Sequence, residues 1–195
     1  ARSHRQRYPK RYSKKSRLPK IKNRVDIEQR PDEINNREVF GHWESDSIVS
    51  QSGKSAINVI HERVTRKIFI NKLLDETSES TKKAIIKRLR TLPSHAKGSI
   101  TYDNGSENYY HEDINSALGM MSFFCKPYHS WEKGAVENSN ELIRRYIPKK
   151  TNLDTISEED IRLIEDQINN RPRKCLRFRT PAEMFALYCS NGMSP

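Results

Sequence analysis

Three short runs in the first third of the chain constrain its fold more than any other feature. Trp43–Val49, Ser55–His61 and Lys67–Leu73 each alternate apolar, β-branched or aromatic residues with polar ones, and turn-forming Gln51-Ser52-Gly53-Lys54 and Arg63-Val64-Thr65-Arg66 join them. Period-two alternation broken by such turns predicts an antiparallel meander. A different period follows. Ser78 or Ser80 caps a helix reaching about Leu92, with Ile85, Leu89 and Leu92 inward and Lys82, Lys83, Lys87, Arg88 and Arg90 outward. A loop then delivers a strand over Ser99–Tyr102. A helix from about Asn108 ends at Gly119 as a left-handed cap, and Met120–Cys125 forms a fifth strand. Late strands joined by a helix run parallel through a right-handed crossover. The fold class is therefore α/β.

Beyond the fifth strand, Gly134 precedes good helix formers with Val136, Ile143 and Ile147 at helical spacing. A helix starting there buries that stripe and sets Glu137 in its first turn, where the dipole favours a carboxylate. Glu137 is either an ordinary first-turn acid or a ligand for a hard cation. Asp103 stands at the carboxyl end of the Ser99–Tyr102 strand, beside the tight turn Asp103-Asn104-Gly105, an edge where ligands gather in open α/β sheets. Asp46 lies mid-strand, on one face with Glu44 and Ile48. It either faces solvent or joins a set of converging carboxylates. Later, Ser157 and Asp160 predict a capping box opening a helix with Ile161, Ile164 and Ile168 inward, and Thr180-Pro181 with Glu183 opens a last short helix. His61 is read as a strand-surface residue, since no second histidine lies at ligand spacing.

Several ordered blocks carry a resemblance. They are Gly41-His42-Trp43-Glu44-Ser45-Asp46, Tyr102-Asp103-Asn104-Gly105-Ser106-Glu107, Pro127 through Asn140, and Asn169-Asn170-Arg171-Pro172-Arg173-Lys174-Cys175 with Thr180-Pro181-Ala182-Glu183-Met184-Phe185. Together they resemble the catalytic domain of DDE transposases of the insertion-sequence-thirty family, in the integrase-core, ribonuclease H-like superfamily. The match runs from about Asn23 to Phe185, and 33 residues separate Asp103 from Glu137, as in that family's signature. His42 and Ser45 depart from the usual Asp and Gly at their positions. The resemblance implies a ribonuclease H-like five-stranded mixed sheet flanked by helices, an antiparallel meander followed by parallel strands. It implies that Asp46, Asp103 and Glu137 are the catalytic residues and ligands of two Mg²⁺ ions, with Mn²⁺ able to substitute. It implies hydrolysis at the ends of a mobile element and strand transfer into target double-stranded DNA, by a homo-oligomer assembled on DNA. Glu44, Glu107 and Glu132 are nearby acids outside the triad.

Net charge matters once it is located. The chain of 195 residues has 36 Lys and Arg against 25 Asp and Glu, and 11 of the basic residues lie between Ala1 and Arg24, where there is no acid. The excess is thus an amino-terminal arm on a formally neutral body. Such an arm cannot fold alone but condenses on a polyanion with release of counterions. Its Arg2, Arg5, Arg7, Lys10, Arg11, Lys14, Lys15 and Arg17 are candidate DNA contacts. So are His129, Trp131 and Lys133 in the loop before the Glu137 helix, where flat rings alternate with charge, and Asn138, Arg144 and Arg145 on the helix. The expected division is arm and linker over 1–38 and catalytic core over 39–190. Family members carry an amino-terminal helix-turn-helix region, and this chain opens at Ala1 without an initiator Met, as a fragment or a shortened gene would. With no apolar run long enough for a membrane and no secretory signal, the expected setting is the bacterial cytoplasm, at the nucleoid. Three cysteines without C-x-x-C spacing point to neither a disulfide framework nor zinc. Competing readings are a retroviral-type integrase or nuclease with the same core, and a non-catalytic DNA-binding remnant.

Overall fold

The structure is a computed structural model that describes residues 21–51, 53–126 and 130–191. Strands β1 (His42–Val49), β2 (Ala56–Glu62), β3 (Ile68–Leu73), β4 (Ser99–Tyr102) and β5 (Met121–Phe124) form one sheet in the order β3-β2-β1-β4-β5. β1, β2 and β3 pair antiparallel, while β4 and β5 continue the sheet parallel to β1. This is the meander followed by parallel strands that the alternation and crossover rules predict. Helices α1 (Asp32–Asn35), α2 (Ser78–Leu89), α3 (His111–Leu118), α4 (Gly134–Arg144), α5 (Glu158–Asn169) and α6 (Pro181–Asn191) surround it.

Alternation along β1 assigns each residue to a layer. Trp43 enters the layer under α2 and α3, where it is fully buried, stacks on Phe69 and donates its indole N–H to the Ala96 carbonyl at 2.9 Å. Ile85, Leu89, Ile114 and Phe124 pack around it. Glu44, Asp46 and Ile48 enter the opposite layer. There Ile48, Ile57, Val59 and Ile68 meet Val136 and Ile143 of α4 and Ile161 and Ile168 of α5. Gly41 starts β1 with φ +91°, and a Cβ on it would lie 2.3 Å from the His95 carbonyl oxygen, so only glycine lets the strand begin so close to the β4 lead-in.

Local chemistry sets the helix ends. Thr77, rather than Ser78 or Ser80, caps α2 by accepting from Ser80 N at 3.2 Å, and the helix stops at Leu89, three residues short of the expected end. α3 begins at His111 because Ser106–Asn108 forms a separate 3₁₀ turn, and it closes on Gly119 at φ +68°. Ser157 and Asp160 make the predicted capping box on α5.

The stretch between Val25 and Glu38, read as linker, is docked on the sheet. Ile27 and Ile34 are buried and Arg30 donates to Thr101 Oγ1 at 2.9 Å. Its few apolar anchors lack a periodic pattern, which is why they escape a reading by periodicity. Phe124 N donates to Val25 O at 2.9 Å, so this stretch pairs with the end of β5. At the other edge, Asn169 of α5 donates to Ile68 O and accepts from Ile68 N at 2.8 and 2.9 Å, and Glu165 accepts from Ile70 N at 2.6 Å. Among the described residues no helix is long and apolar enough to cross a membrane.

Candidate active site

Parallel pairing sets Glu44 of β1 opposite Thr101 of β4. Two residues further along both strands come Asp46 and Asp103, so the register places the two acids side by side. β4 ends at Tyr102, and Asp103 turns the chain as Asx residues do: its Oδ1 accepts from Gly105 N at 3.0 Å and from Asn108 Nδ2 at 2.9 Å. Both carboxylates meet one cation. Lys133 Nζ donates to Asp46 Oδ1 at 2.9 Å, to Asp103 Oδ2 at 3.2 Å and to the Ser45 carbonyl at 3.2 Å. The lysine side chain is only 4% exposed, while the Asp46 and Asp103 side chains are 21% and 40% exposed, so the ammonium lies beneath two acids that open outward. Burial pulls the Lys133 pKa down, but Asp46 and Asp103 outweigh it and hold it above the ordinary lysine value.

Helix α4 reaches this point because β1 caps it. Lys133 offers the helix no side-chain cap; instead Glu44 Oε2 accepts from Val136 N in the first turn at 2.9 Å, and its other oxygen pairs with Arg63. Glu44 is completely buried and Arg63 nearly so. The acid two residues before Asp46 thus docks the helix. One turn along, Asn140 Nδ2 donates to Asp46 Oδ2 at 2.5 Å, and its Oδ1 is buried with no partner. Of the other two nearby acids, Glu132 accepts from Lys126 N at 2.8 Å. The Glu107 carboxyl is raised in pKa, first by burial and then by the Asp103 charge.

Glu137 is exposed in the first turn of α4, three residues before Asn140, on the helical spacing that places neighbours on one face. Its carboxylate makes no contact with Asp46 or Asp103 in this arrangement, and among the described residues no group of three His, Cys, Asp or Glu is gathered tightly enough to hold a metal ion. The structure therefore brings together two of the three expected acids and sets the third on the adjoining helix. The donors nevertheless suit a hard divalent cation. They are carboxylate oxygens from two strands, a cation already sits between them as the Lys133 ammonium, and the orphaned Asn140 Oδ1 can accept from a bound water.

Of the candidate DNA contacts, Arg2, Arg5, Arg7, Lys10, Arg11, Lys14, Lys15, Arg17 and His129 lie outside the described residues, as does the side chain of Trp131. Lys133 is buried with its ammonium on the carboxylates rather than presented outward. Asn138 and Arg145 are exposed, and Arg144 is half-buried, donating to Pro148 O at 3.4 Å. His61 is not a strand-surface residue: α4 covers it, and its Nδ1 meets Ser139 Oγ at 2.5 Å. Reasoning from sequence passed over Asn140, although its spacing of four from buried Val136 marks it as inward-facing.

Two solved structures share this fold. A chain of the simian T-cell lymphotropic virus intasome in complex with PP2A regulatory subunit B56 gamma superposes with a TM-score of 0.61 at 16% identity, over 75% of this chain and 54% of that one. The catalytic core domain of BIV integrase gives 0.57 at 19% identity, over 75% and 94%. The fold is therefore the ribonuclease H-like fold of integrase catalytic cores. No protein-family model matches the chain. The transposase for insertion sequence element IS4351 of Bacteroides fragilis is 42% identical over 179 residues, covering 92% of this chain and 55% of that protein. The transposase for IS1086 of Cupriavidus metallidurans is 36% identical over 175 residues, covering 90% and 52%, and transposase InsI for IS30A of Escherichia coli is 37% identical over 185 residues, covering 94% and 48%. The chain belongs to the insertion-sequence-thirty family of transposases, and it spans about half the length of these relatives.

Proposed function

We propose that this chain is the catalytic domain of a DNA transposase that hydrolyses phosphodiester bonds at element ends and transfers the freed strand into target DNA in the bacterial cytoplasm. The observation that carries the reading is the convergence of Asp46 and Asp103, from neighbouring parallel strands, on a single cation position beside the helix that bears Glu137. Asp46, Asp103 and Glu137 are the residues that would hold a pair of Mg²⁺ or Mn²⁺ ions. Held there, such a pair would supply Lewis-acid activation of the attacking water or 3′-hydroxyl and charge stabilisation for the departing oxygen.

The chain's own residues prepare that chemistry. Gly105 N and Asn108 fix one oxygen of Asp103 and leave the other directed at the shared position. Asn140 orients Asp46 in the same way. Glu44 anchors the start of α4, so that the helix bearing Glu137 stays against β1. Double-stranded DNA is the substrate, with the basic arm over 1–24 as its electrostatic anchor on an oligomer of this chain.

The test is Asp103→Asn in a Mg²⁺-dependent assay on oligonucleotides bearing element ends. Cleavage should fall below detection while retention of DNA stays within about twofold, since one neutralised carboxylate adds no repulsion to phosphates. A variant cutting at the wild-type rate refutes the assignment. Strand-transfer products from the unaltered chain distinguish a transposase from a nuclease, which releases only hydrolysis products.

A further inference from the structure

On the flank of α4 turned away from Asn140 lies a cavity of about 220 Å³ between that helix, β2 and the chain after α5. Its polar lining is Arg37, His61, Arg66, Asn138, Ser139 and Arg173, and among the described residues no acid lines it. Among the described residues none of the three arginines forms a salt bridge. Burial and then the Arg37 charge lower the Arg66 pKa, and its hydrogen bond to Cys175 and the buried Glu62 offset that only in part. Arg173 donates to the Ile168 carbonyl at 3.1 Å, a neutral partner, so clustered and partly desolvated guanidiniums here gain from an arriving anion. Two of these arginines are also held in the left-handed backbone region, Arg37 at φ 63° and Arg66 at φ 64°, which side-chain-bearing residues rarely adopt.

The histidine points the same way. His61 is 3% exposed, its Nδ1 is engaged by Ser139 Oγ, and its Nε2 has no partner. The Ser139 hydroxyl donates to the Ala135 carbonyl at 3.1 Å, so its oxygen accepts from Nδ1–H, and Nε2 is a buried nitrogen that a bound anion would favour protonating. Arg173 Nε is likewise buried and unpartnered. A cavity walled by three guanidiniums, an imidazole and a carboxamide, with donors to spare and no carboxylate, has the chemistry of a tetrahedral oxyanion site.

We propose that this cavity binds a backbone phosphate of the DNA strand on which the carboxylate site acts; the proposal rests on the DNA-directed reading above. The cavity and the carboxylates flank one helix whose diameter with side chains is about 10–12 Å, a span of a few nucleotides at 3.4 Å per step along one strand. A strand crossing the amino end of α4 is then gripped on one side and processed on the other.

Binding of a duplex oligonucleotide to the full chain is measured across a salt series for the Arg37→Gln/Arg66→Gln double variant and for Asn138→Asp. In parallel, the His61 ring is followed by ¹⁵N NMR during titration with the duplex and with inorganic phosphate. The double variant should lower the slope of log K against log salt by about 1, with roughly tenfold weaker binding near 100 mM salt. Asn138→Asp should weaken binding comparably by placing a carboxylate in the cavity. Because position 138 is exposed and has no hydrogen bond to lose, this variant keeps the test intact if the arginine variant fails to fold. The duplex should shift the His61 Nε2 resonance in the unaltered chain. An unchanged slope and an unmoved His61 resonance overturn the proposal, and so does a resonance moved by inorganic phosphate but not by the duplex. A chain that never cuts DNA yet shows the slope change keeps this site and loses the enzymatic reading. A chain that cuts while slope and resonance stay put does the reverse.

Discussion

Replacing Glu44 with alanine should destabilise the protein by about 4 kcal/mol, and the sum follows from two contacts. Glu44 is completely buried and Arg63 is 4% exposed. Removing one partner of a buried pair leaves an uncompensated charge and typically costs about 3–5 kcal/mol. Arg63 keeps acceptors at Ile34 O and Asn35 O, 3.3 and 3.1 Å away, so the lower end, about 3 kcal/mol, applies. Loss of the acceptor for Val136 N removes the cap of α4, worth about 1 kcal/mol. For a domain of this size the total lowers Tm by roughly 8–16 °C. Urea unfolding followed by far-UV circular dichroism measures it. Glu44→Gln should fall between wild type and alanine, because the amide oxygen still caps the helix. The double variant Glu44→Ala/Arg63→Met should recover most of the ion-pair part. A Glu44→Ala protein within about 1 kcal/mol of wild type, or a double variant less stable than the two single losses combined, refutes the account.

Two further outcomes are expected. Burial, then Arg63 and Arg30, push the His42 pKa down to about 4. The unfolded chain therefore binds the extra proton first, and stability present above the free imidazole value of about 6.5 is lost as pH falls towards 4, by about 3 kcal/mol. His42→Gln should flatten that part of the stability–pH profile, and an unaltered slope counts against a neutral, buried His42. Lys133→Met should tighten Mn²⁺ binding, read by electron paramagnetic resonance, by at least about tenfold, since the ammonium no longer competes for Asp46 and Asp103. Unchanged affinity means that the ion and the lysine do not share those oxygens.

Much of the scaffold was legible because local signals sufficed. Period-two runs separated by turns announced β1 to β3, Gly119 marked the end of α3, and the Ser157–Asp160 box opened α5. That Asp46 and Asp103 are neighbours follows from the parallel register of β1 on β4, which joins strands far apart in sequence and is seen only in the folded sheet. Partners remote in sequence were not legible. Nothing near Lys133 shows that its ammonium turns under two aspartates, and nothing near Glu44 reveals a pairing with Arg63. His61 looked like a surface residue because a strand pattern fixes its face but not what covers that face. The arginine-lined cavity gathers positions 37, 66 and 173 from three connections without periodicity, so only the folded chain discloses it.

The treatment of the two outermost strands limits how copies of this domain can meet. On β3 the amide of Asn169 imitates a neighbouring strand at Ile68, and Glu165 takes the next free N–H, while the Val25–Asp26 segment lies along β5. At those rungs a second copy could add a strand only by displacing Asn169 and Glu165 from β3 or the Val25–Asp26 segment from the end of β5.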